Sequence, residues 1–111
     1  MEGLSDCLND EEGIWKKTIS INLVGVIEGS ILAIRNARKT KKPLTIVNVA
    51  SAAGLWGMPF EPIYGATKHG VVGFTRSLVN LAPEGIKCTV IAPWNVQTPM
   101  FQVCLVWLIQ S

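Results

Sequence analysis

Apolar positions recur with two periods along the chain, and each period predicts a different element. Over residues 13–39, Trp15, Ile19, Val26 and Leu32 or Ala33, with the polar Asn22 in the same register, return at three- and four-residue steps, a helical pattern. Such a helix would be roughly 38 Å long. Gly25 and Gly29 lower its intrinsic stability, and the expected reason for them is close approach by another element. Residues 40–43 stop the helix. The run LTIVNVA at 44–50 is short and β-branched, as expected of a buried parallel strand. Gly54, Gly57 and Pro59 mark 51–61 as a loop. Helical spacing returns over 62–81, with Ile63, Val71, Phe74, Leu78 and Leu81 as packing residues. After a turn at 83–85, IKCTVIA at 86–92 reads as a second buried strand, and 93–99 as a loop. Residues 1–12 are polar and acidic, without periodicity, and read as a loop. The tail 101–111, FQVCLVWLIQS, is almost wholly apolar; it reads as a core strand or, if exposed, as an aggregation hazard.

Helix, strand, helix, strand is the order of an α/β protein, with the second helix crossing between parallel strands. The length, 111 residues, is room for a single domain over 1–111. Two strands make a poor sheet, which points to a larger unit. Hydrophobic residues at 49% and charged residues at 16% exclude a disordered chain. A formal net charge of +2 gives no reason to expect nucleic acid. The basic cluster of Arg35, Arg38, Lys39, Lys41 and Lys42 is expected to be a solvated helix end favoured by the helix dipole. Cys7, Cys88 and Cys104 contain no C-x-x-C, so neither a metal site nor a disulfide framework is expected. Reduced thiols and the lack of a signal-peptide pattern suggest a cytoplasmic protein. The apolar stretch 21–34 carries Asn22, Glu28 and Ser30, and is expected to be too short and too polar for a membrane span.

The chemistry gathers in Tyr64-Gly-Ala-Thr-Lys68. Residues i and i+4 share a helix face, so the ammonium sits near the phenol. A neighbouring cation favours a phenolate, which makes a tyrosine usable as a general acid/base. Ser51 ends the first strand, and the carboxyl ends of parallel strands are where open α/β sheets bind ligands. A hydroxyl there could hold a carbonyl oxygen for protonation by Tyr64. Each feature alone has an ordinary structural reading: a surface Tyr–Lys pair, a capping serine, a polar helix residue at Asn22. Their conjunction gives them weight.

The segments INLVGVIEG, VNVASAAG, YGATKHGVVGFTRS and IAPWNVQTPM together resemble the short-chain dehydrogenase/reductase family over roughly residues 15–100. INLVGVIEG and KHGVVGFTRS look closest to its hydroxyprostaglandin-oxidising members. The resemblance implies part of a Rossmann-like doubly wound parallel sheet. It implies hydride transfer between a nicotinamide cofactor and a secondary alcohol or carbonyl, with a hydroxy-fatty-acid or prostaglandin-like substrate. Tyr64 would be the acid/base, and Lys68 would tune it and bind the nicotinamide ribose. Ser51 would orient the substrate oxygen, and Asn22 would hold a relay water in a kinked part of the first helix. Val96 and Thr98 would contact the nicotinamide carboxamide and phosphates. NAD is the implied cofactor, with NADP left open, and a homo-oligomer or association with a full-length relative is implied. Departures are clear as well. None of the 10 glycines forms G-x-G, the phosphate-binding turn. Trp94 follows Pro93 where the family has glycine, and the tail matches no family segment. The expectation is therefore a chain truncated at both ends that binds cofactor poorly by itself. The alternative is a catalytically inert chain that pairs with a full-length relative through its two long helices.

Overall fold

The computed structural model describes residues 9–51, 54–98 and 101–110. The expected loop over 1–12 lies mostly outside them. At the start of the first helix, the Asp10 carboxylate accepts the Trp15 N–H at 2.8 Å. Backbone hydrogen bonds, that of Ile14 foremost, hold the Asp10 carboxyl below its ordinary value. Helix α1 (Trp15–Ile19) passes into a π-helical turn, Ser20–Val24, and continues as α2 (Gly25–Thr40). The run ends at Lys41, which takes the left-handed conformation at φ 54°, while the Lys42 N–H bonds back to the Ala37 carbonyl at 3.2 Å. Pro43 follows and cannot continue the helix.

Strand β1 (Leu44–Val49) leads through the 51–61 loop into α3 (Pro62–Arg76). Pro62 opens that helix, where a missing N–H costs nothing. A short 3₁₀ helix (Val79–Glu84) and Gly85 at φ 78° then turn the chain into β2 (Ile86–Thr98), and β3 (Phe101–Gln110) follows. The sequence spacing carries the second helix to residue 81; in the structure the α-helix ends at Arg76, and the 3₁₀ helix takes up the residues that follow.

The sheet order is β1-β2-β3. β1 and β2 are parallel, from Leu44↔Ile86 to Val49↔Ile91. β2 and β3 are antiparallel, from Thr89↔Gln110 to Thr98↔Phe101. The expected loop at 93–99 is thus corrected: its residues through Thr98 extend β2. The apolar tail supplies the partner strand, and β-branched and aromatic residues favour a strand that has one. Pro93 is tolerated because β2 has left β1 after Ile91 and is paired on one side only.

Both helices pack on the same face of the sheet. Ile34 and Ala37 of α2 bury Ile46, Ile86 and Cys88. Val71 and Val72 of α3 bury Ala50 and Val90. On the opposite face Val47 is 51% and Val49 56% exposed. The α/β class and partial Rossmann-like arrangement hold, but the described helices cover one face, whereas a doubly wound sheet is covered on two. The helical run Trp15–Thr40 has 26 residues and a window hydropathy of 1.5, long and apolar enough to cross a membrane by length and composition. This exceeds the sequence expectation for 21–34, because the helix continues through the π turn. Its inner face, with Ser30, Ile34 and Ala37 buried, is spent on the sheet.

Candidate active site

Tyr64 lies in the first turns of α3 and Lys68 one turn later, as their spacing requires. The Lys68 ammonium sits over the phenol ring, 5.5 Å from its centroid. Burial pushes the Lys68 amine below its ordinary value, because the charged form loses water. No carboxylate pairs with it among the described residues; the ion pair found there joins Arg38 to Glu84. Thr67, buried beneath this face, donates to the Tyr64 carbonyl at 2.7 Å and tightens the turn. His69 Nδ1 meets the Gly65 carbonyl at 2.8 Å, which fixes its ring along the helix.

Ser51 is half-buried just beyond the carboxyl end of β1. Its carbonyl accepts the Gly54 N–H at 2.8 Å, so the chain turns at once. That turn brings Gly54 against α3, where an added Cβ would lie 2.7 Å from the Lys68 carbonyl oxygen. Asn22 is half-buried at the middle of the π turn, where the helix departs from the α-helical hydrogen-bond pattern. Its neighbour Leu23 presses on α3 at Gly70. The structure thus brings the segments of Ser51 and Asn22 onto the helix of Tyr64 and Lys68. It treats Val96 and Thr98 differently: they pair with Val103 and Phe101 in the β2–β3 hairpin.

Sequence reasoning misplaced the close approaches. Gly25 has only the Ser20 carbonyl at 3.7 Å, an ordinary contact, and Gly29 faces open space. Gly54 and Gly70 are the crowded positions, and only tertiary packing distinguishes them. Sequence reasoning also missed a buried hub. Asn48 Nδ2 donates to Thr75 Oγ1 at 2.9 Å and approaches Ser30 Oγ at 3.4 Å, so one strand residue ties β1 to both helices. An asparagine inside the apolar, β-branched run LTIVNVA was the available signal.

A parallel strand–helix–strand crossover with a Tyr-x-x-x-Lys pair on its helix and a serine just past its first strand is the arrangement of a short-chain dehydrogenase core. The chain matches the short chain dehydrogenase family over residues 2–106 and belongs to it. It is 39% identical over 100 residues to 15-hydroxyprostaglandin dehydrogenase (NAD(+)) of Rattus norvegicus, covering 86% of this chain and 37% of that protein. It is 39% identical over 92 residues to (-)-trans-carveol dehydrogenase of Rhodococcus erythropolis, covering 82% of this chain and 33% of the relative. Among solved structures, 4-hydroxyisoleucine dehydrogenase complexed with NADH and succinate superposes with a TM-score of 0.76 at 27% identity, over 86% of this chain and 45% of that one. ElxO with NADP bound gives a TM-score of 0.72 at 31% identity, over 90% and 39%. The chain therefore spans about a third to just under half of the length of these relatives.

Proposed function

We propose that the chain carries the proton-transfer centre of an oxidoreductase acting on secondary alcohols or the corresponding carbonyls, with NAD as cofactor. The supporting observation is the half-buried Lys68 ammonium, held over the Tyr64 ring without a carboxylate partner among the described residues. A desolvated cation without a counter-charge suits ribose hydroxyls and a phenolate. The residues present fit the nicotinamide-ribose end of the cofactor, whereas no G-x-G is available in this chain for its pyrophosphate. The cofactor, when bound, supplies the hydride acceptor or donor.

In the oxidative direction Tyr64 takes the proton of the substrate hydroxyl as the hydride leaves the same carbon. Lys68 holds its charge beside the ring and binds the ribose hydroxyls, Ser51 holds the substrate oxygen by hydrogen bonding, and Asn22 anchors the water that relays the proton to solvent. NAD rather than NADP, and a hydroxy-fatty-acid or prostaglandin-like substrate, rest on the likeness to the rat 15-hydroxyprostaglandin dehydrogenase. Tyr64→Phe should lower NAD-dependent oxidation of a long-chain secondary alcohol by roughly a hundred- to ten-thousand-fold, the usual worth of a general acid/base. A Tyr64→Phe variant that turns over as fast as the parent refutes the assignment.

A second reading is favoured by one observation, the apolar residues left outside: Ile21 is 64% and Leu32 65% exposed on the first helical run. These faces suit pairing with a second copy or with a full-length relative, and the chain would then act as a binding partner without turnover. Light scattering separates the readings of this face. A monomer at micromolar concentration that also fails to co-elute with a full-length family member counts against pairing.

A further inference from the structure

Three segments carry the four candidate residues, and two of them reach α3 through a glycine. Gly54, three residues after Ser51, lies so close to α3 that an added Cβ would stand 2.7 Å from the Lys68 carbonyl oxygen and 2.9 Å from Val72 Cγ2. Gly70 leaves a notch in α3 into which Leu23 fits; an added Cβ would stand 2.9 Å from each Leu23 methyl. Leu23 adjoins Asn22 in the π turn, and both α1 and that turn lie against α3. Neither glycine needs a special backbone conformation, since the positive-φ glycines of the described residues are Gly13 and Gly85. Closeness, and not conformational freedom, is what these two positions require.

We infer that Gly54 and Gly70 are positioning residues that set the Ser51 loop and the Asn22 turn at their working distances from Tyr64 and Lys68. At Gly54 the obstacle is the Lys68 backbone carbonyl, which cannot give way; at Gly70 it is the methyl end of Leu23, which is packed against the cluster of Val71, Val72 and Val90 and so has little room to turn aside. Interiors at this density pass a local displacement to their neighbours. A methyl at Gly70 pushes the π turn outward and carries Asn22 with it. A methyl at Gly54 lifts the loop that follows Ser51. The catalytic meaning rests on the function proposed above, while the geometric content does not.

Tyr64 is the single tyrosine in the chain, so 3-fluorotyrosine labelling puts one fluorine reporter at the site. The Gly70→Ala variant should shift or split the native ¹⁹F resonance. Gly70→Ala combined with Leu23→Ala, which empties the space the methyl needs, should return it to the native position. Gly73→Ala is the control: it lies on the same helix with nothing within 4 Å of an added Cβ, and should leave the resonance unmoved. If Gly70→Ala does not fold, the double variant decides, because relief of the clash must restore a native resonance. The inference is overturned by a folded Gly70→Ala with an unmoved resonance. It is equally overturned by a Gly73→Ala shift of the same size, or by a double variant that stays displaced or unfolded. None of these outcomes depends on turnover. An inactive protein with the expected fluorine pattern would sink the proposed function and leave the positioning geometry standing.

Discussion

Removing the Asn48 side chain tests whether the buried hub holds the two helices to the sheet. Asn48 is 9% exposed, Ser30 4% and Thr75 0%, so water does not replace the lost partners. Asn48→Ala forfeits the 2.9 Å bond to Thr75 Oγ1 and the long contact with Ser30. Thr75 is not stranded, because its hydroxyl still donates to the Val71 carbonyl at 2.8 Å. Ser30 can turn its hydroxyl toward its own helix backbone, which keeps its penalty small. The lost bond is worth about 1 kcal/mol and the void left by the side chain about 1 more, so the expected cost is about 2 kcal/mol. For a domain of this size that lowers Tm by roughly 8 °C. Thr75→Val, nearly isosteric, should cost about 1 kcal/mol through the unpaired Asn48 amide. Urea unfolding of both single variants and the double variant completes a cycle, in which the double should fall short of the sum by about 1 kcal/mol. Additive losses, to within about 0.3 kcal/mol, would refute a direct Asn48–Thr75 coupling.

Three further outcomes follow from the same structure. Lys68→Met should raise Tm at neutral pH, since burial disfavours the ammonium in the folded protein. The folded value lies below the unfolded one, so the parent gains stability as pH rises toward the ordinary lysine value of 10.5; melts of the Lys68→Met variant should lack that rise. Arg38 holds Glu84 bidentately at 2.8 and 2.9 Å, and that hydrogen bonding lowers the Glu84 carboxyl below 4.5. Its contribution is present above 4.5 and lost as pH falls through the folded value, so Glu84→Gln should flatten the acid limb slightly, and high salt should shrink the difference. Gly29→Ala places a methyl in open space on an α-helix and should stabilise by roughly 0.5–1 kcal/mol in denaturant titration.

Local pattern made some of this legible and tertiary contact hid the rest. The β1 and β2 runs were readable because β-branched residues in short unbroken stretches have few other uses, and their pairing from Leu44↔Ile86 follows from a helix long enough to cross between them. Tyr64 and Lys68 were readable because one helical turn is a local distance. The hairpin was not. Residues 93–98 carry Pro93 and Asn95, which weigh toward a loop, and only the partner strand at 101–110 turns the balance. Gly25 and Gly29 were favoured over Gly54 and Gly70 because a glycine inside a helix costs stability wherever it sits, while the space beside it depends on what packs there.

That asymmetry bears on how the site is assembled. Tyr64 and Lys68 meet through local helix geometry and would meet on any helix. The segments of Ser51 and Asn22 are held on α3 only through contacts made across the fold: the turn at Gly54, the Leu23 notch at Gly70, and the Asn48 bridge from β1 to α2 and α3. In the proposed centre the Tyr64–Lys68 pair is thus the robust part, and the placements of Ser51 and Asn22 are the fragile parts. A destabilising change at Asn48, Gly54 or Gly70 should therefore separate the two. It would leave the Lys68–Tyr64 stacking intact on α3 while loosening Ser51 and Asn22, because the helix turn needs neither contact.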